Sequence, residues 1–168
     1  YQGAPNPSVG LLIDDIDFRG VGMPATTFDV DQIEVLRGPQ GTRHGANALA
    51  GLIKITTNDP RVEPELATEL VAGGDGLLGA GLGAGGALGR RGEASADAWR
   101  IAAQLARSDG FRRNTYLGRD DTNERDETTL RGKVRLGLAD DWTADVSSMY
   151  VSLDNGFDAF SPDNRLRT

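Results

Sequence analysis

Apolar and polar residues alternate with a period of two through most of the chain after residue 60. The clearest segment sets Leu130, Val134, Leu136 and Leu138 against Arg131, Lys133 and Arg135. Similar alternation covers residues 66–72, 78–88, 99–105 and 142–150. Because successive side chains of a strand point to opposite faces, the pattern predicts five strands with one apolar face each. Each strand approaches the roughly 9–11 residues with which a tilted strand crosses a bilayer.

The first 60 residues follow a different, mixed pattern. Apolar runs predict strands at residues 9–13, 32–37 and 52–57, and small residues predict a short helix at 46–50 that stops at Gly51. Prolines and charges at residues 58–64 mark a module boundary. We therefore expect a mixed α/β module at residues 1–60 and a β module at residues 61–168.

Two classes of β module share this alternation. In an outer-membrane barrel, short periplasmic turns alternate with long outer loops, and aromatic residues lie at the strand ends. The lengths of the links fit that scheme, with a short one at residues 139–141 and a long polar one at 112–127. The aromatic residues at strand ends would be Trp99, Trp142 and Tyr150. A soluble antiparallel sheet with one buried face produces the same alternation. The pattern alone leaves both open.

Composition excludes several functions. The chain has 18 Lys and Arg against 25 Asp and Glu, a net charge of −7, which argues against nucleic acid as the partner. There is no cysteine and one histidine, so thiol chemistry and paired-histidine metal sites are excluded. We expect no catalysis, no cofactor and no metal site. The acidic group Asp14, Asp15 and Asp17 is interpreted as a solvated turn.

Glycine is unusually frequent. It accounts for 23 of 168 residues, about twice the average share of roughly 7%. Residues 81–86 even match Gly-x-Gly-x-x-Gly, but no helix pattern follows as a dinucleotide site requires. We interpret this stretch as part of a strand in which Gly79, Gly81, Gly83 and Gly85 share one side and the leucines share the other.

One segment of the first module resembles the plug domain of TonB-dependent outer-membrane receptors. The resemblance rests on Ile-Glu-Val-Leu-Arg-Gly-Pro-Gln-Gly-Thr at 33–42, Gly-Ala-Asn-Ala-Leu-Ala-Gly at 45–51 and Ile-Lys-Ile-Thr-Thr at 53–57. The strand and acidic turn at residues 9–18 also match, whereas Arg-His-Gly-Ala at 43–46 replaces the family's common Leu-Tyr-Gly-Arg. The alternating segments downstream look like the first strands of the receptor barrel.

The resemblance implies a fold and a set of contact residues. The fold would be mainly β: an α+β plug fragment followed by antiparallel strands of an incomplete transmembrane β-barrel. The plug motif and plug–barrel contacts would comprise Glu34, Arg37, Gly38, Pro39, Gly41, Gly45 and Gly51. The lumen-facing cations, which are the expected partners of plug carboxylates, would be Arg131, Lys133 and Arg135.

The implied function is transport rather than catalysis. A receptor of this family lies in the outer membrane, contacts lipid, binds a scarce nutrient and imports it when TonB rearranges the plug. Ferric siderophores are the leading cargo class, with cobalamin or glycans as alternatives. TonB would act through an N-terminal segment that we expect to be missing from this chain, which we interpret as a fragment. A soluble or cell-surface β-rich binding module is the alternative.

Overall fold

A computed structural model describes residues 9–18, 27–41, 50–89, 97–114, 118–139 and 142–156. The helix expected at residues 46–50 lies almost wholly outside these ranges, as does Gly45. Within them, no helix is long and apolar enough to cross a membrane. The described residues form two larger sheets and one small hairpin.

Four strands from the first 60 residues form what we call the small sheet. These are β1 (Val9–Ile13), β2 (Ile16–Asp17), β3 (Val30–Arg37) and β4 (Gly51–Thr57), arranged β2-β1-β4-β3. β1 and β4 are parallel, and the other pairs are antiparallel. The strands expected in this region are therefore present, and β2 is an addition.

Local chemistry explains the turn between β1 and β2. Asp14 and Asp15 both have positive φ, at 49° and 64°, as a two-residue hairpin turn of type I′ requires. Aspartate tolerates this conformation better than most residues do. The apolar residues of the flanking strands then form two small clusters, Leu11–Ile13–Ile55 and Leu12–Leu52.

Five long strands form the large sheet. They are β5 (Glu65–Ala72), β6 (Leu78–Ala87), β7 (Ala98–Ser108), β10 (Arg125–Ala139) and β11 (Trp142–Leu153), arranged β11-β10-β7-β6-β5. All neighbouring pairs are antiparallel. These are the five strands that the alternation predicts, and together with the small sheet they confirm a mainly β fold.

The two faces of the large sheet have opposite character. On the face turned away from the small sheet, Leu70 is 88% exposed, Leu66 is 74% exposed and Trp142 is 72% exposed. Leu130 and Leu138 are exposed on the same side. A soluble sheet would bury this face in a core, yet the described residues leave it open. This face therefore offers a continuous apolar surface to hydrocarbon or to another apolar element.

Two details of the connections differ from the sequence expectations. The stretch at 112–127, expected as a plain polar link, contains the hairpin of β8 (Arg112–Asn114) and β9 (Arg119–Thr122) and the first residues of β10. The backbone N–H of Asp109 donates to the carbonyl of Asp75 at 2.9 Å, so the short 73–77 turn and the long 109–124 connection share one end of the sheet. Short and long links therefore do not segregate strictly by end.

Gly51 itself lies within the described residues, although the helix that it is expected to end lies almost wholly outside them. It is the first residue of β4, and an added Cβ would lie 2.7 Å from the carbonyl oxygen of Leu36. That distance is shorter than side-chain contacts allow. Glycine is required here because β3 and β4 approach each other closely.

We predict that a charge on the apolar face blocks assembly. If this face contacts lipid, Ile101→Arg on β7 is expected to destabilise the full-length protein by about 2–4 kcal/mol, since arginine at the bilayer midplane costs that much. The matched change Thr143→Arg, on the polar face of β11, is expected to be tolerated. Heat-modifiable migration of outer-membrane fractions measures both. Equal assembly of the two variants would contradict a lipid-facing surface.

Candidate functional site

The small sheet contacts the large sheet through a corner at residues 27–29, just before β3. The ring of Phe28 is buried against the inward face of β6, where every second residue is glycine. A Cβ added to Gly81 would lie 2.8 Å from the Phe28 ring, and one added to Gly83 would lie 3.7 Å from it. Because the glycines of this row have no side chains, the surface of β6 has room for the aromatic ring.

Asp29 follows Phe28 and forms the most deeply buried ion pair among the described residues. Its φ is +58°, and its carboxylate accepts hydrogen bonds from Nε of Arg100 on β7 at 3.0 and 3.1 Å. A second guanidinium nitrogen of Arg100 also donates to Asp29. The side chains are only 8% and 4% exposed for Arg100 and Asp29, respectively. Such a pair depends strongly on both members being present.

Partners on both sheets hold this ion pair in place. Nδ2 of Asn58 donates to the Asp29 carboxylate at 3.1 Å. Another nitrogen of Arg100 donates to the carboxylate of Glu65 on β5 at 2.6 Å. Arg100 thus bridges an acid of the small-sheet segment and an acid of its own sheet.

Three cations of β10 form a second row of contacts. A guanidinium nitrogen of Arg131 donates to the backbone carbonyl of Phe28. Nζ of Lys133 donates to the carbonyl of Thr57 at 3.1 Å and lies 3.2 Å from the Asp14 carboxylate and 3.3 Å from that of Asp59. Arg135 lies 3.3 Å from the Asp59 carboxylate and donates to Asp145 of β11 at 2.7 Å.

The acidic turn at Asp14 is less solvated than expected from sequence. Its carboxylate accepts hydrogen bonds from the backbone N–H of Thr57 at 2.8 Å and from the Thr57 hydroxyl at 2.7 Å. Asp15 projects further outward and pairs with Lys54 at 2.8 Å. Asp14 therefore ties the β1–β2 turn to the end of β4 and presents a carboxylate to Lys133.

Asp59 is a titratable contact between the segment after β4 and the large sheet. Burial alone would raise the pKa of this carboxyl. The hydrogen bonds and positive charges of Lys133 and Arg135 outweigh that effect and hold the pKa of Asp59 below its usual value. The carboxylate therefore stays ionised under ordinary conditions.

The remaining residues singled out from sequence lie away from this contact. Glu34 and Arg37 are on β3, and the structure records no hydrogen bond or ion pair from either to the described part of the large sheet. Glu34 instead faces Lys54 across the β3–β4 ladder. β3 ends at Arg37. Gly38 follows with φ +84°, and Pro39 and Gly41 come after it.

Sequence reasoning missed Asp29, Arg100, Glu65 and Asp59. One available signal was Arg100, a cation near the start of a strand whose other residues are largely apolar or small. Its partner Asp29 lies 71 residues away. The described residues contain no group of three or more side chains suited to a metal ion. What they contain is a set of ionic contacts between the two sheets, beside two apolar contacts: the Phe28 ring against β6, and Met149 of β11 against the Leu11–Ile13–Ile55 cluster.

Comparisons with known proteins point to one class. No family model matches the chain. The pesticin receptor of Yersinia pestis is 39% identical over 59 residues, covering 35% of this chain and 9% of the receptor. The vitamin B12 transporter BtuB of Vibrio vulnificus is 28% identical over 139 residues, covering 76% of this chain and 20% of the transporter.

A solved structure extends the likeness to the fold. The ferric yersiniabactin uptake receptor FyuA of Yersinia pestis superposes with a TM-score of 0.67 and 28% identity, over 83% of this chain and 21% of that receptor. The chain is similar in sequence and fold to TonB-dependent outer-membrane receptors. These relatives are receptors and transporters of the outer membrane. The chain spans about a fifth or less of the length of these relatives.

Neutralising Asp29 is predicted to loosen the corner at residues 27–29. Asp29→Asn keeps a residue that tolerates positive φ but removes the charge facing Arg100. We expect a loss of about 3 kcal/mol in local stability, because breaking a buried pair costs about 3–5 kcal/mol and Glu65 still balances Arg100. Hydrogen exchange at Asn58 in the full-length receptor measures the opening. Asp15→Asn, an exposed control, should leave it unchanged; equal effects would contradict the assignment.

Acid is predicted to weaken the Asp59 contact. A carboxyl with a lowered pKa stabilises the folded contact above its ordinary pKa of 3.8, and this stabilisation is lost as pH falls through the lower folded value. Protease sensitivity of residues 57–60 should therefore rise below about pH 4. In Asp59→Asn the sensitivity should already be raised at neutral pH and should lack this acid-dependent step. An unchanged step in the variant would assign the titration to another group.

Proposed function

We propose that the chain forms the junction between plug and barrel in a receptor that imports a scarce nutrient across the outer membrane. Residues 1–60 would belong to the plug and residues 61–168 to the first barrel strands. The observation that carries this proposal is the two-faced large sheet. Its open face is apolar, while its other face binds the small sheet mainly through ions and backbone carbonyls, with apolar contacts at Phe28 and Met149.

A polar contact between plug and wall suits a part that moves. Separating two apolar surfaces in water costs free energy in proportion to their area. Ionic and hydrogen-bonding groups regain much of their interaction from water when they separate. The lumen would be lined by Arg131, Lys133 and Arg135. The plug would be shaped by the motif residues Glu34, Arg37, Gly38, Pro39, Gly41, Gly45 and Gly51.

The energy for plug movement would come from TonB, acting on a part of the receptor that precedes the plug strands. We propose a ferric siderophore as the cargo, supported by the name of FyuA as a ferric yersiniabactin uptake receptor. Vitamin B12 is the second candidate, because BtuB matches 76% of the chain in sequence, whereas the pesticin receptor matches 35%. A soluble binding module is not favoured, since the apolar face of the large sheet is open.

Uptake by the full-length receptor tests this function. Cells with and without the receptor are given radioiron bound to a panel of siderophores and, separately, labelled vitamin B12. We expect receptor-dependent accumulation of iron from at least one ferric siderophore, falling to background when TonB is deleted. Accumulation of vitamin B12 alone would replace the cargo assignment. TonB-independent accumulation, or none from either class, would contradict the proposal.

A further inference from the structure

The cations facing the small sheet fall into two groups. Arg100 and Arg135 each hold an acid of the large sheet as well as one of the small-sheet side: Glu65 at 2.6 Å and Asp145 at 2.7 Å. If the small sheet withdrew, each would keep a partner on the wall. These two cations are balanced whether or not the plug is in place.

Arg131 and Lys133 have no such second partner among the described residues of the large sheet. Arg131 bonds to the carbonyl of Phe28, and Lys133 bonds to the carbonyl of Thr57 and to the acids Asp14 and Asp59. All of these partners precede residue 61. Withdrawal of the plug would therefore leave two neighbouring cations facing the lumen without an acid.

The surroundings of these two cations are suited to an oxyanion. Arg131 and Lys133 are two positions apart on one face of β10, which separates their Cα atoms by roughly 6.6 Å. Ser147 lies opposite Lys133 in the ladder with β11 and adds a hydroxyl on the same face. Guanidinium, ammonium and hydroxyl groups together match a carboxylate better than a neutral ligand.

We propose that Arg131, Lys133 and Ser147 form a transient anion site on the barrel wall, which takes carboxylate-bearing cargo when the plug moves. The acids Asp14 and Asp59 occupy this site in the resting receptor and act as its internal competitors. The proposal rests on the function proposed above, since it requires that the plug leave the wall. It adds a second binding position along the cargo's path and a preference for anionic ligands.

The matched variants are Lys133→Gln and Arg135→Gln. Both remove one positive charge from the same face of β10, and both remove a contact of 3.3 Å to Asp59. Lys133→Gln also removes contacts with Asp14 and with the Thr57 carbonyl, which would loosen the plug further and open the site rather than close it. Only Lys133 lacks a second partner on the wall, so only its loss should affect the anion site. Heat-modifiable migration verifies that both variants assemble.

The experiment uses the full-length receptor in cells with a reporter thiol, Met149→Cys, which lies opposite Arg131 on the same face as Ser147 and leaves the three residues of the site intact. An uncharged maleimide labels the thiol, and propane-1,2,3-tricarboxylate is the anionic probe, with its trimethyl ester as the neutral control. We expect the tricarboxylate to slow labelling saturably, about fivefold or more, in cells that contain TonB. The ester should not slow it. Lys133→Gln should abolish the protection, and Arg135→Gln should retain it.

Several results would overturn the anion site. These are absence of protection, equal protection by the ester, survival of protection in Lys133→Gln, and its loss in Arg135→Gln. If iron uptake requires TonB but the thiol is labelled equally with and without TonB, the anion site is overturned and the proposed function stands. Failure of both TonB-dependent uptake and TonB-dependent labelling would overturn the proposed function as well.

Discussion

The structure depends on one constraint: the large sheet has two faces that no single solvent satisfies. One face carries exposed leucine, isoleucine, valine and tryptophan side chains, and the other carries arginine, lysine and glycine in register. Water covers the first poorly, and hydrocarbon excludes the second. A membrane on one side and a polar partner on the other satisfy both. The small sheet supplies that partner.

The contact between the sheets combines two kinds of attachment. At the corner formed by Phe28 and Asp29, an aromatic ring fills a glycine-lined depression beside a buried ion pair. Along β10, the contacts are more exposed and include two backbone carbonyls as acceptors. The first kind fixes position, because shape and charge must both match. The second kind is easier to exchange for water or for another anion.

Sequence alone predicted what is local. The side on which Lys133 lies follows from a period of two, and that period is a property of each strand by itself. The pairing of Asp29 with Arg100 spans 71 residues, and that of Lys133 with Thr57 spans 76. No periodicity encodes such a meeting. Gly51 shows the other limit: its need for glycine comes from the close approach to the Leu36 carbonyl in the β3–β4 pair, and no local pattern predicts that pairing.

The central claim is that the apolar row of β10 faces lipid while its cationic row faces the plug. Single spin labels at residues 130–138 of the full-length receptor in bilayers test it directly, through collision rates with oxygen and with a polar nickel complex. The account predicts high oxygen accessibility at the even-numbered positions and low accessibility to both reagents at 131 and 133. Even-numbered positions shielded from oxygen, with the odd ones open to the nickel complex, would contradict it.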